Sequence, residues 1–442
     1  LSNRYSVASG TKTQLENLYY WKFPMKQNSK FTLLLTIFTD LLGFGIVIPI
    51  LPLYAKNISD NPSPWMSHIN EMLNFSNPGA FWAGLAMVSY TVMQFISTPI
   101  LGRWSDKFGR RPLLYISLLG STIGYLVLGF TMQYEWVIAA RILDGLTGGN
   151  ISVAQAAMAD LSTPQDRSKS LGMMGAAFGM GFILGPALAG ILSGSYIGVY
   201  LLETHGLHLP FLVASVLSLT ASLSVIFFLP ETLSVESRER TRNKKRGHAL
   251  LQELKRPQMP TLLFISLITV TSFGMFEGSF SLMVNHRFGF GQKEVGYLFG
   301  VVGLLIALYQ GLIVRFISKF FPEKNILVLG LTFLVIAFIF MPIAPLFWPF
   351  YLCIIPSAWG SGMNTTAIYA LSSKLTPAED QGSLFGVLGS IQSLGRIIGP
   401  ALGTLAFAQY GYRMPFHIAT GLILVALVAA LVLLPKPYAD PK

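Results

Sequence analysis

The sequence predicts an all-α membrane protein in which twelve transmembrane helices form two six-helix bundles, the second a parallel repeat of the first. Three observations predict it. Of 442 residues, 52% are hydrophobic and 12% charged, with a mean hydropathy of +0.56; a soluble chain carries about a quarter of its residues as Asp, Glu, Lys and Arg. The solvent must therefore be mostly lipid. The apolar residues also fall into twelve runs, each near the ~20 residues that let a helix cross a bilayer with its backbone polar groups satisfied internally. Finally, the second half of the chain repeats the first at a fixed offset.

The runs, here called spans 1–12, lie at 31–54, 80–101, 113–133, 137–160, 171–193, 210–229, 260–284, 295–314, 325–343, 346–372, 383–408 and 414–435. The longest polar interval, 230–259, divides them six and six and holds the basic run Arg238-Glu239-Arg240-Thr241-Arg242-Asn243-Lys244-Lys245-Arg246, read as a solvated linker and not as a nucleic-acid site. This gives an N-terminal tail (1–30), a first bundle (31–229), the linker, a second bundle (260–435) and a C-terminal tail (436–442). Residues 1–24 fit no span and lack the apolar core of a signal peptide; they read as an upstream extension or disordered tail before a natural start at Met25. The large loop 55–79 carries two sequons, Asn57-Ile58-Ser59 and Asn74-Phe75-Ser76.

The net charge of +11 acquires meaning once it is sorted by loop. With both termini on one side, that side holds 25 of the 31 Lys and Arg residues. The positive-inside rule then makes both termini cytoplasmic, in an inner or plasma membrane. Among the few basic residues on the other face are Lys56, Arg287, Lys293 and Arg413. One cysteine, Cys353, excludes a disulfide framework and any multi-cysteine metal site. The six histidines show no metal-ligand spacing, and no nucleophile elbow is present. An enzyme, a resident metal and a cofactor are accordingly not expected.

Shifting the chain by 214 residues lays spans 4 and 5 on spans 10 and 11. Gly148 meets Gly362, Asn150 meets Asn364, Gly172 meets Gly386, Gly175 meets Gly389 and Gly181 meets Gly395; Gly185-Pro186-Ala187-Leu188 meets Gly399-Pro400-Ala401-Leu402. Small residues recur in membrane helices because they allow close packing, but packing alone does not hold one register across two spans and a loop.

The loop after span 2 reads Gly102-Arg103-Trp104-Ser105-Asp106-Lys107-Phe108-Gly109-Arg110-Arg111-Pro112. Its glycines permit tight turns, while Asp106, Arg110 and Arg111 form a charge cluster able to latch two bundles. At every defining position it resembles the signature loop of the major facilitator superfamily, Gly-x-x-x-Asp-Arg/Lys-x-Gly-Arg-Arg/Lys. Arg141 to Gly149 in span 4 is similar to that family's intramembrane arginine motif. Gly181, Gly185, Pro186 and Gly190 in span 5 resemble its antiporter motif, where proline removes a backbone donor and glycine a side chain. Thr39 to Pro52 in span 1 and Ala159-Asp160-Leu161 look like the twelve-helix drug/proton antiporters, especially the tetracycline/proton exporters. Those exporters carry an acid in span 9, whereas Leu329 to Phe340 has none.

Charge is expensive in hydrocarbon, so the deep ionisable residues Asp40, Arg141, Asp144, Glu277 and Arg396 are the candidates for coupling chemistry. Asp40 is the leading proton carrier, with Arg141 positioning or discharging it; Asp144, three residues on, can equally lock Arg141 in a pair on one helix face. Glu277 suits a cationic substrate or a second proton site. Arg396 stands where the repeat has Phe182, favouring substrate or counter-ion binding. Gln155, Asn364 and Gln392 are polar candidates for a central cavity. The resemblance implies a monomeric secondary transporter exporting hydrophobic or amphipathic drugs, tetracycline-like or multidrug, against protons. The alternative is a proton-coupled importer or facilitator of a sugar or organic acid.

Overall fold

The computed structural model describes residues 25–162, 166–233, 253–346, 348–377 and 380–434. Residues 1–24, the basic run 238–246 and the tail 436–442 lie outside the described residues. Each apolar run coincides with helix. Spans 1 to 3 are Met25–Ser59, Pro78–Phe108 and Arg110–Phe130. Span 4 is two helices, Tyr134–Thr147 and Asn150–Asp160; spans 5 and 6 are Arg167–Gly194 and Leu209–Phe228. Span 7 is Met259–Phe288; span 8 is Gln292–Leu308, a π-turn Tyr309–Ile313, and Val314–Phe320. Spans 9 to 12 are Glu323–Phe340, Trp348–Lys374, Gln381–Tyr410 and Met414–Val432.

Eight of these helices are long and apolar enough by themselves to cross a membrane: spans 1 to 3, 6 to 9 and 12. The other four are spans 4 and 5 and their repeat partners 10 and 11, diluted by glycine, serine and charge. Span 4 breaks at Gly148 and Gly149, where its carbonyls find donors on span 2: the Gln94 amide donates to Gly148 at 2.9 Å and the Ser97 hydroxyl to Gly145 at 2.9 Å. A broken helix is tolerated at membrane depth when a neighbour satisfies the freed groups.

The packing obeys the repeat. Span 1 packs on span 5, span 2 on 4 and span 3 on 6; span 7 packs on 11, span 8 on 10 and span 9 on 12. Between bundles, span 5 meets span 8 and span 2 meets span 11, again a repeat-related pair. Glycines set the distances. A Cβ on Gly185 would lie 2.7 Å from the Gly45 Cα, and one on Gly399 2.9 Å from the Gly274 Cα, so the span 1/5 and span 7/11 crossings are built alike.

Among the described residues, the contacts between the bundles gather at one end. At the end away from the termini, called here the outer end, Gly190 of span 5 abuts Gly296 of span 8, and Gly84 of span 2 abuts Thr404 of span 11. Hydrogen bonds cross there as well: the Ser281 hydroxyl to the Pro49 carbonyl at 3.2 Å, the Asn77 amide to the Ala408 carbonyl at 2.9 Å, and the Ser76 hydroxyl to the Gln409 carbonyl at 3.3 Å. At the other, basic end, Cβ atoms on Gly102, Gly179, Gly311, Gly386 and Gly389 would meet open space. The core divides accordingly. One buried cluster runs from the outer half of the first bundle through the second, whereas Leu33, Ile37, Leu114, Leu118, Val153, Met158 and Val225 form a separate cluster at the basic end of the first bundle.

The loop 55–79 contains a further helix, Pro64–Leu73. It is held by aromatic edges and polar tips: the Trp65 indole lies 5.3 Å from that of Trp82 and donates to the Glu135 carboxylate at 2.5 Å, and Trp82 donates to the Asn70 side chain at 3.0 Å.

Candidate functional site

A hollow open to solvent lies between the bundles beside the crossing glycines. Its walls are Phe44, Val47, Ile48 and Leu51 of span 1, Met87, Tyr90 and Thr91 of span 2, Arg141 of span 4, Glu277 of span 7, and Arg396 and Pro400 of span 11. An apolar hollow with few convergent polar groups is the usual form of a small-molecule site. Three of the five deep ionisable residues line it.

Each charge has a different environment. Arg141 and Asp144 form a buried ion pair at 2.7 Å, both side chains 3% exposed, and the guanidinium also lies 4.2 Å above the Tyr90 ring. Arg141 is thereby held from two sides, while its Nε is buried without a hydrogen-bond partner among the described residues. Asp40 is on span 1, five residues before the Gly45 crossing, and accepts a 2.5 Å hydrogen bond from the Asn150 amide. Asn150 begins the second helix of span 4, so the glycine break aims this donor at the acid. Spacing on span 4 gives no sign of that contact between distant spans; the repeat singles out Asn150 without assigning it a role. Glu277, by contrast, makes no hydrogen bond or ion pair among the described residues, and Arg396 reaches only the Ser393 hydroxyl, at 3.2 Å. Spans 7 and 11 pack together, yet these two unlike charges are not within 4.0 Å of each other.

The remaining polar candidates lie off the cavity lining. Asn364 is fully buried in the second bundle, its side-chain amide unpartnered and pressed against Gly330. Its repeat partner Asn150 has an acid to bind; Asn364 has none. Gln392 accepts from the Tyr369 hydroxyl at 3.3 Å, and Gln155 is exposed.

The signature loop has its described partners in the first bundle and the start of the linker. Arg110 pairs with Asp106 at 2.6 Å and with Asp160 at 3.3 Å, and bonds the Ser105 hydroxyl at 2.6 Å. The Glu231 carboxylate, which the sequence alone did not single out, accepts from the backbone amides of Arg110 at 2.9 Å and Arg111 at 3.3 Å. Arg111 donates to the Ile226 carbonyl, and Arg103 is exposed. Gly109 takes φ +111°, which favours glycine, and any Cβ there would strike Glu231. The latch expected between bundles is, in this conformation, a clasp joining the ends of spans 2, 3, 4 and 6. In the second bundle Lys374, at the position that matches Asp160 in the repeat, bonds Glu323 at 2.6 Å. The antiporter motif presents one face to two helices: Gly181 and Gly185 meet span 1, Pro186 flanks Gly45, and Gly190 meets span 8.

Two repeated bundles closed at one end around an ionisable cavity are the architecture of a membrane transporter. A family profile described as Major Facilitator Superfamily matches residues 33–355 and 262–442. The chain belongs to the Major Facilitator Superfamily and is a multi-pass membrane transporter of small molecules. It is 30% identical over 371 residues to the tetracycline resistance protein, class D, of Salmonella ordonez, covering 84% of this chain and 87% of that one. It is 28% identical to multidrug resistance protein 2 of Bacillus subtilis (strain 168), over 91% of this chain and 94% of that one. Among solved structures it is similar to a bacterial homologue of the human lysosomal transporter Spinster in an inward-facing, unoccupied conformation, with TM-score 0.73, 13% identity and coverage of 95% and 100%. It is also similar to the human organic anion transporter MFSD10 (TETRAN), with TM-score 0.66, 22% identity and coverage of 92% and 100%.

Proposed function

We propose that the protein exports hydrophobic or amphipathic compounds in exchange for protons, with Asp40 as the coupling acid. The observation that carries this is the Asp40–Asn150 contact: a lone carboxylate at mid-membrane held by a neutral donor, not by a cation, which can take and release a proton without breaking an ion pair. The buried Arg141–Asp144 pair beyond it supplies fixed charge. The basic end then faces the cytoplasm, and the conformation described is the inward-open one, ready to accept substrate. Relatives whose names denote tetracycline and multidrug resistance support the same reading.

Substrate entering the cavity and a proton on Asp40 would each favour a different facing state, so their exchange drives the rocking of the bundles. Inside-out vesicles with an acid interior, given an effluxed dye in the medium, test this by dye uptake into the lumen. The parent protein is expected to move the dye only while the gradient lasts, with protons moving in the opposite direction. Asp40→Asn should retain dye binding and lose gradient-driven transport by at least ~100-fold, about 2.7 kcal/mol. Undiminished export by Asp40→Asn, or protons moving in the same direction as the dye, would sink the proposal.

A further inference from the structure

We propose that the central cavity is built for a dipolar amphiphile: its ammonium group on Glu277, its anionic group on Arg396, and its ring system against Phe44, Met87 and Tyr90. The inference rests on the transport reading and adds the chemical class of the ligand. Of the charges in and around the cavity, Arg141 is neutralised by Asp144 and lies on the Tyr90 ring, and Asp40 is held by Asn150. Glu277 and Arg396 face the opening with no ion-pair contact among the described residues, and the attraction of Arg396 for Glu277 acts only at longer range.

An unpaired charge inside a membrane is costly and is retained where a partner comes and goes. A purely cationic ligand would leave Arg396 unpaired, and a purely anionic one would leave Glu277 unpaired. A ligand carrying both signs pairs with both and adds no net charge to the cavity. The second bundle supplies both poles, and the first supplies the apolar wall. At the matching crossing, Gly45 is followed three residues later by Ile48, whereas Gly274 is followed three residues later by Glu277. Ile48 and Glu277 line the same hollow. Phe44 and Tyr90, with ring centroids 5.8 Å apart, offer tilted aromatic surface beside Arg141.

The test uses purified full-length protein in nanodiscs and a fluorescent piperazinyl quinolone carboxylic acid, compared with its methyl ester, which keeps only the positive charge, and its N-acetyl derivative, which keeps only the negative one. The parent protein should bind the zwitterion at least ~10-fold more tightly than either derivative. Glu277→Gln should bind the zwitterion and the N-acetyl form alike, Arg396→Gln the zwitterion and the ester alike, and Arg396→Lys should keep most of the parental preference. Equal or absent binding of all three probes by the parent overturns the proposal. So does an equal loss for all three probes in both neutral variants, since that marks a structural role. Gradient-driven flux of the same probes separates the two readings: preferential binding without flux defeats export and leaves this inference standing, and flux without preference does the reverse.

Discussion

At Asp144 a single proton-sized change is expected to unbalance the first bundle. Asp144→Asn removes the partner of a guanidinium that is 3% exposed, and breaking a buried pair from one side costs about 3 kcal/mol. Thermal unfolding in detergent should register a loss of that order; an unchanged midpoint would mean that the Tyr90 face alone suffices for Arg141. His208, just before span 6, makes a second residue-scale prediction. Its ring is buried edge-on to Tyr54 at 4.3 Å, its Nε2 has no partner, and burial lowers its pKa from 6.5 to about 4. The folded protein therefore refuses a proton that the unfolded chain accepts below about 6.5, so stability should fall as pH drops from about 6.5 towards 4. His208→Phe should flatten the dependence of unfolding temperature on pH between 7 and 5, and an equal slope in both proteins would exclude His208 as its source. Of the residues around the site, Asp40 and Arg141 stand out in sequence because charge is rare in a span. Glu231 and Tyr90 do not, and Asn150 stands out only through the repeat and without a role, because a polar or aromatic residue becomes a partner only when another span arrives beside it.

Individual spans carry the geometry of the contacts through glycine. Gly190 is where span 5 presses against span 8, and a Cβ there would lie 2.8 Å from the Lys293 carbonyl and 2.9 Å from the Tyr297 amide. Gly190→Leu should wedge the outer end apart and shift the population towards an outward-open state. A spin-label pair placed across spans 5 and 8 at the outer end should then report a longer distance than in the parent; an unaltered distribution would show that the contact can relax in place. Apolar density predicts span 4 as one continuous run, 137–160, whereas the structure has two helices meeting at Gly148 and Gly149. Apolar density could not reveal that break. It depends on Gln94 and Ser97 of another span taking over the hydrogen bonds that the helix gives up. The amphipathic Pro64–Leu73 helix was likewise a loop by composition, and it exists where Trp65 and Asn70 find Trp82 and Glu135.

For the whole molecule, the closed end and the open end are the functional facts. Cysteines at Asn77 and Ala408, whose backbones are joined by a 2.9 Å hydrogen bond across the outer contact, should cross-link on oxidation, given replacement of Cys353, and the link should arrest transport until reduced. If the oxidised protein turns over at the parental rate, the outer contact is not one that transport must break. The sequence by itself determined the membrane class, the spans, the repeat and the superfamily, because hydrophobic length, charge asymmetry and fixed-offset glycines are properties written along the chain. It also narrowed the chemistry to five deep charges. Tertiary structure decided which of those are already paired and which face the cavity, and it showed the signature loop clasping its own bundle and the outer end sealed. These are relations between spans far apart in sequence, where a shift of a few ångströms determines whether unlike charges neutralise each other or remain available to a ligand.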